Sequence, residues 1–295
     1  MPEVEALFDK ATSTLTYVVY DAQTKDTVII DPVLDFDLAS FSTKSVEAQK
    51  VVDFVESKQL KVHYIIETHV HADHLTGSGF LKKKLNCGSV ISSKITAVQE
   101  TFKQLLDMPD LKCDGSQFDK LVNDGEQFTA GSLTIKAIAT PGHTPACTCY
   151  MIGDMLFTGD ALFMPDFGSG RCDFPKGCAD DLYTSIHDVL YALPAETRVF
   201  VGHDYQPGGR ELKYETTIGE SKEKNNHLKA STSREEFVNW RRNRDATLNP
   251  PKLLFQSLQV NLNNGNLPPK HGNNARYMVI PLNSLEDTDD VGQRI

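Results

Sequence analysis

No stretch of this chain approaches the ~18 consecutive apolar residues of a membrane-spanning helix, so no spanning anchor is expected. Basic charge is also short. Lys and Arg number 30 against 40 Asp and Glu, for a net charge of −10, and that argues against broad binding to nucleic acid or to an anionic membrane, where a positive field is needed. The opening residues, Met1-Pro2-Glu3-Val4-Glu5, have neither the basic region nor the apolar core of a secretory leader. They are also too acidic for a mitochondrial transit peptide, so a cytoplasmic location is the expectation. The six cysteines, Cys87, Cys113, Cys147, Cys149, Cys172 and Cys178, show no zinc-ribbon or disulfide-framework spacing. Free thiols are therefore expected. Of these, Cys172, beside Arg171, is a candidate to face a pocket, where it would be open to oxidation or sulfur transfer. Tryptophan occurs once, at Trp240, where it is expected to dock a helix into the core.

What the chain does have is histidine concentrated in one place: His69-Val70-His71-Ala72-Asp73-His74. The run follows Val62 to Thr68, which reads as a buried strand. At strand period two, His69 and His71 point the same way, and the turn beyond presents Asp73 and His74. Imidazole nitrogen with carboxylate suits a transition-metal dication. Three further strand-like segments end in similar cargo: Leu133–Thr140 before Pro141-Gly142-His143-Thr144, Met155–Thr158 before Gly159-Asp160, and Arg198–Val201 before Gly202-His203-Asp204-Tyr205. A glycine directly precedes each candidate ligand and permits a sharp turn there.

Together, HVHADH, PGHT, TGD and GHDY over about residues 12–210 resemble the metallo-β-lactamase superfamily. The resemblance implies an α/β fold, a four-layer αββα sandwich with metal at one edge of two facing sheets. In its dinuclear hydrolases one metal takes the equivalents of His69, His71 and His143, the second those of Asp73, His74 and His203, and Asp160 bridges. That pattern implies two Zn, Fe or Mn ions and a glyoxalase II-like thioesterase acting on S-acylglutathione. A second segment shifts the choice. Gly168-Ser169-Gly170-Arg171-Cys172-Asp173-Phe174 is similar to the GR-x-DF stretch of the persulfide dioxygenases, the ethylmalonic-encephalopathy protein group. Asn225-Asn226, Glu235-Glu236-Phe237 and Thr247-Leu248-Asn249-Pro250 resemble the tail of that group.

The dioxygenase resemblance implies one Fe(II) per chain on His69, His143 and Asp160, the facial triad of non-haem oxygenases. His71, Asp73, His74 and His203 then support the site. Glutathione persulfide, O2 and water would give sulfite and glutathione. Arg171 is the candidate to bind a glutathionyl carboxylate or steer the persulfide, and its alternative role is pairing with Asp166 or Asp173. Tyr205 is the candidate to hydrogen-bond near the metal. Asp73 is a candidate to orient a ligand imidazole, and Asp31 to pin the His-rich loop. Arg171, Lys176 and Arg210 would supply a local positive field. Arg241, Arg242 and Arg244 read either as part of that field or as a solvated helix face. A separate rhodanese-type sulfurtransferase is a candidate partner, and a homodimer is left open.

The layout reads as a catalytic domain over 1–210, an extension packed on it over 211–285 and a tail over 286–295. Helices are expected over 44–60, 75–85, 95–106 and 180–193, the first with Ala48, Val51, Val52 and Val55 as its apolar stripe and the last with His187 off its stripe and exposed. Residues 210–230 read as a polar excursion. Two helices follow over 234–247 and 252–262, split by Asn249-Pro250-Pro251.

Overall fold

The computed structural model describes residues 2–283 and residue 293. Apart from Gln293, the tail expected over 286–295 lies outside the described residues. The chain opens with three antiparallel strands, β1 (Glu3–Asp9), β2 (Thr14–Tyr20) and β3 (Asp26–Ile30). A hairpin of β4 (Val33–Asp37) and β5 (Ser42–Lys44) leads into α1 (Val46–Ser57), and β6 (Lys61–Ile66) returns parallel to β3. After the His-rich turn come β7 (Leu75–Thr76), α2 (Ser78–Leu85), β8 (Gly88–Ser92), α3 (Ile95–Leu105) and β9 (Lys120–Val122). The first sheet has the order β1-β2-β3-β6-β8-β9.

The second sheet is built in chain order from β10 (Gln127–Ala130), β11 (Leu133–Ala139), β12 (Thr148–Ile152), β13 (Met155–Phe157), β14 (Arg198–Phe200) and β15 (Glu215–Thr217). A helix, α4 (Ala179–Thr184), lies in the connection from β13 to β14. The chain continues through α5 (Ile218–Lys224), α6 (Arg234–Asp245) and α7 (Leu254–Asn261).

Alternation within β2 sets the layers. Leu15, Tyr17 and Val19 join Ile135, Tyr150, Phe157 and Phe200 in one core between the sheets. Val18 and Tyr20 point the other way, onto Ala48, Val51, Val52 and Val55 of α1. With both faces covered, every residue of β2 is buried. The result is the expected four-layer αββα sandwich.

Four expectations need correction. Leu75 and Thr76 pair with Leu34 and Val33 as β7, so the helix begins at Ser78, not Leu75. The predicted helix over 180–193 is one turn-and-a-half of α-helix followed by a π segment at Ser185–Val189 and a 3₁₀ turn at Leu190–Ala192. His187, expected on an open face, stacks on Tyr183 at 4.8 Å. Residues 210–230, read as a polar excursion, hold more regular structure than that: β15 extends the second sheet, Thr217 caps α5 by accepting from the Glu220 N–H, and Ile218 and Leu228 are fully buried.

Candidate metal centre

Strand direction gathers the ligands. β11 and β13 each run antiparallel to β12, and β14 is parallel to β13. These three strands therefore point the same way, and the residues after them (His143, Asp160, His203) emerge at one edge. On the facing sheet, β6 delivers His69 to the same edge. Asp31, just past β3 and in a left-handed conformation at φ 48°, ties the turn down. Its carboxylate accepts from the Thr68 N–H at 2.8 Å and from Thr68 Oγ1 at 2.7 Å, and it lies 3.1 Å from His71 Nε2. Gly159 has φ 48°, and a Cβ there would lie 2.4 Å from Thr68 Oγ1, so the close approach of β13 to this turn requires glycine.

One nitrogen is tied in four of the five imidazoles, His69, His74, His143 and His203, which fixes the other as a lone pair facing inward. Thr68 Oγ1 gives its proton to Asp31, so it accepts from His69 Nδ1 at 2.9 Å. His143 Nδ1 donates to the Arg171 carbonyl at 2.6 Å, His74 Nδ1 to the Leu75 carbonyl at 3.1 Å, and His203 Nδ1 to the Ser13 carbonyl at 3.2 Å. His71 reverses the pattern, its Nε2 lying against Asp31 and Glu67. The remaining atoms His69 Nε2, His71 Nδ1, His74 Nε2, His203 Nε2, Asp73 Oδ2 and Asp160 Oδ1 are buried without hydrogen-bond partners. Six such atoms at one place would be prohibitively costly in an apolar interior, and they fit a metal centre.

Among the described residues three sets of ligand-type atoms each lie within 4.8 Å of one another: His69, His143 and Asp160; His71, Asp73 and His203; and Asp31, Glu67 and His71, the last an acid pair against one imidazole behind the turn. Asp160 joins the first two sets, with Oδ2 at 3.6 Å from His143 Nε2 and Oδ1 at 3.3 Å from His203 Nε2. Asp73 Oδ2 is 3.5 Å from His203 Nε2. Burial, helped by neighbouring imidazoles, holds His69 well below the ordinary histidine range. Burial and then His71 push His74 down to about 4. Both are thus neutral, as ligation requires. Burial opposes charge on His71 as well, but Asp31 and Glu67 outweigh it and raise its pKa.

The Gly168–Phe174 segment braces two ligands from behind. Arg171 offers its carbonyl to His143, and the Gly170 N–H donates to the Asp160 carbonyl at 3.1 Å. The Arg171 side chain takes up one of its two expected roles, pairing with Asp173 to fix the loop. Its fork is filled by Asp173, through Nε and Nη2 at 2.5 Å each, and Nη1 reaches the Asn249 carbonyl at 2.8 Å. Asp166 pairs with Arg210, not with Arg171. Arg210 also grips Asp204 at 2.7 Å, so it too is committed. Tyr205 stacks on His203 with ring centroids 5.5 Å apart. Cys172 is buried and its thiol is pushed well up by that burial, which opposes the thiolate an acceptor would need.

Two pockets flank the centre. One, of about 370 Å³, borders Asp160, Arg171, Tyr205 and Trp240. The other, of about 220 Å³, is mostly apolar and borders His143, Phe174, Pro251 and Leu254. Lys176 lines neither. Trp240 docks α6 as expected, partly buried against the main core beside Phe237, and its other face stacks on His227 at 3.8 Å in a pocket wall. Sequence reasoning missed Glu67, Asn261 and His227. Only Glu67 had a local signal, being four residues before His71.

The metallo-beta-lactamase superfamily profile matches residues 10–203. The chain belongs to that superfamily. Its buried His/Asp clusters are those of a metal-dependent enzyme of this kind. A beta-lactamase hydrolase-like protein of Agrobacterium fabrum is 44% identical over 286 residues, covering 97% of this chain and 66% of that one; the chain thus spans just under two thirds of that relative. Glyoxylase B2 of Dictyostelium discoideum is 43% identical, with 96% and 98% covered. The human mitochondrial persulfide dioxygenase is 34% identical over 202 residues, with 68% and 67% covered. Among solved structures, ETHE1 from Myxococcus xanthus superimposes with a TM-score of 0.72 at 33% identity, covering 90% of this chain and all of that one. Among the described residues, no helix is long and apolar enough to cross a membrane.

Proposed function

We propose that this chain is a persulfide dioxygenase that converts glutathione persulfide, O2 and water to sulfite and glutathione, using one Fe(II) on His69, His143 and Asp160. The observation that carries the reading is the placement of the Gly170-Arg171 backbone. The segment that resembles the persulfide dioxygenases is the one that touches both His143 and Asp160. His69, His143 and Asp160 would hold the iron, and a set of only three protein ligands, two imidazoles and one carboxylate, would leave it free to take further ligands. Bound iron supplies the one-electron chemistry that O2 requires and that redox-silent zinc lacks. The protein's share is orientation. Thr68 and the Arg171 carbonyl fix the tautomers of His69 and His143, and the Asp31–His71 contact holds the turn. The 34% identity to the human persulfide dioxygenase supports the same reading. A separate sulfurtransferase is the proposed supplier of the persulfide.

The second reading is a dinuclear thioesterase of the glyoxalase II kind. It is favoured by the complete set His71, Asp73 and His203, by the bare His74 Nε2, and by the similarity to glyoxylase B2. The test is oxygen uptake by protein loaded anaerobically with Fe(II), on adding fresh glutathione persulfide, with sulfite measured at the end. About one sulfite per O2, absent from zinc-loaded protein, is the expected result. No uptake with verified iron and intact persulfide, together with hydrolysis of S-lactoylglutathione, would replace the first reading by the second.

A further inference from the structure

Of the two pockets that meet the metal centre, the smaller comes in past α3 and the start of α7. Its inner end is formed by Ala72 of the metal turn, the ligand His143 and Phe102, all buried. The Phe174 ring continues the wall, 5.0 Å from the Phe102 ring and 6.1 Å from the His143 imidazole. The mouth is made by Leu105, an exposed apolar residue, by Leu254 and by Pro250-Pro251. In the sequence these prolines read only as a break between helices. Two prolines in a row also present ring surface and no backbone N–H, so this rim lacks two donors for water. Arg171 and Asp173 line the pocket as well, but they close on each other at 2.5 Å.

We propose that this apolar pocket is the entry route and holding site for dioxygen on its way to the centre beside His143. O2 is small, uncharged and apolar, so it favours such walls over water. Apolar cavities stay dry and take neutral guests such as xenon. A persulfide on a charged carrier meets the opposite conditions here, because the guanidinium in the wall is already taken by Asp173. The volume of about 220 Å³ lies below the ~300–1,000 Å³ of small-molecule sites, and it holds a diatomic gas with room to spare. The route ends at a metal ligand without crossing the pocket that borders Asp160. The inference deepens the persulfide dioxygenase reading and rests on it for the use of O2, but gas binding can be measured apart from any reaction.

The test has two parts. Crystals of the metal-loaded protein are pressurised with xenon, which reads gas binding alone. Xenon density against Phe102, Phe174 and Leu254 is the expected result. Oxygen uptake is then measured at varied O2 and saturating glutathione persulfide in wild type, Leu105→Trp and Leu254→Trp, whose indoles narrow the mouth. KM for O2 is expected to rise about tenfold, within the one to three decades that association rates span among variants of one site. KM for the persulfide and iron content should stay as in wild type. A rise in the persulfide KM instead would assign the pocket to the sulfur substrate and overturn the proposal. So would a pocket without xenon, or an unchanged KM for O2, in protein that still takes up oxygen, and either result leaves the dioxygenase standing. No uptake by wild type with verified iron and intact persulfide would remove the dioxygenase and, with it, the use of the pocket for O2.

Discussion

Asn261, at the end of α7, donates its side-chain amide to the backbone carbonyl of His71, 190 residues earlier. The same Nδ2 donates to the His74 carbonyl, and Oδ1 accepts from the Thr76 N–H, all at 2.8 Å. The side chain is buried and every contact falls on the metal turn. Asn261→Ala would leave two carbonyls and one N–H unsatisfied, at a cost of roughly 2–4 kcal/mol. The expected outcome is a lower melting temperature and a fall in bound metal at fixed total metal, read by calorimetry and elemental analysis. Retained metal at a lower melting temperature would mean that α7 stabilises the fold without shaping the site.

Ligand counting separates the one-metal and two-metal readings. His69→Ala, His143→Ala and Asp160→Ala each remove a member of the set that lies within 4.8 Å of one another, and each is expected to abolish iron retention. Asp73→Ala and His74→Ala are expected to keep near-stoichiometric iron while slowing turnover. If Asp73→Ala instead loses half of two bound metals, the dinuclear hydrolase reading gains and the mononuclear one falls.

The residues that cluster at the candidate metal centre were legible in the sequence because most sit at the end of a recognisable strand and the chemistry is local to a few residues. Asp31 was read as the anchor of the turn for the same reason: it ends a strand. What holds the turn from a distance was not legible. Asn261 lies on a helix whose apolar stripe says nothing of the 190-residue contact its amide makes. Arg241, Arg242 and Arg244 share one short run, and only tertiary structure separates the one buried against Asp245, the one turned to Asp180 and the one that bonds Thr247. Leu75 and Thr76 read as helix because strand pairing with β4 outweighs local propensity. Trp240 packs on the core as a lone tryptophan suggests, but its stacking on His227 at a pocket wall is a tertiary contact the sequence did not show.

Asp26 links the two sheets and gives the fold an acid-sensitive joint. Its Oδ1 lies 2.6 Å from His63 Nε2, and Oδ2 accepts from the Ser132 N–H in the β10–β11 turn at 2.8 Å. The His63 contact, then the Ser132 N–H, hold its carboxyl below the usual range. A depressed carboxylate stabilises the folded state above its unfolded pKa of ~3.9, and the contribution is lost as pH falls through the lower folded value. Asp26→Asn is therefore expected to cost about 1 kcal/mol at pH 7. The melting-temperature gap from wild type should persist down to roughly pH 4 and narrow below it. A gap that stays constant to pH 2 would assign the effect to shape instead of charge.

Thiol chemistry should follow burial. Burial pushes Cys147 and Cys149 up to about 12 and Cys87 up to about 11, and raises Cys172 further. Native protein treated with iodoacetamide at pH 8 is expected to be labelled first at the partly exposed Cys113 and Cys178. Cys172 should react only after denaturation. Rapid native labelling of Cys172 in peptide mass spectra would reopen its role as a sulfur acceptor.

Gly170→Ala tests whether the Gly168–Phe174 segment acts through its backbone. A Cβ on Gly170 would lie 2.2 Å from the Asp160 carbonyl oxygen, far inside van der Waals contact and against backbone that cannot swing aside. The added methyl must push either Asp160 out of its place beside His143 or the segment away from both ligands. Either movement weakens the set that holds metal, because small displacements of a ligand are costly where geometry is strict. Gly170→Ala is expected to lower iron affinity by tenfold or more, with the circular dichroism spectrum of the sandwich retained. Arg171→Gln releases the fork from Asp173 and Asn249 but keeps the carbonyl that His143 uses. It should therefore lose less iron than Gly170→Ala. The reverse order, with Arg171→Gln the more damaging for metal, would mean that the guanidinium and not the backbone carries the segment's effect on the centre.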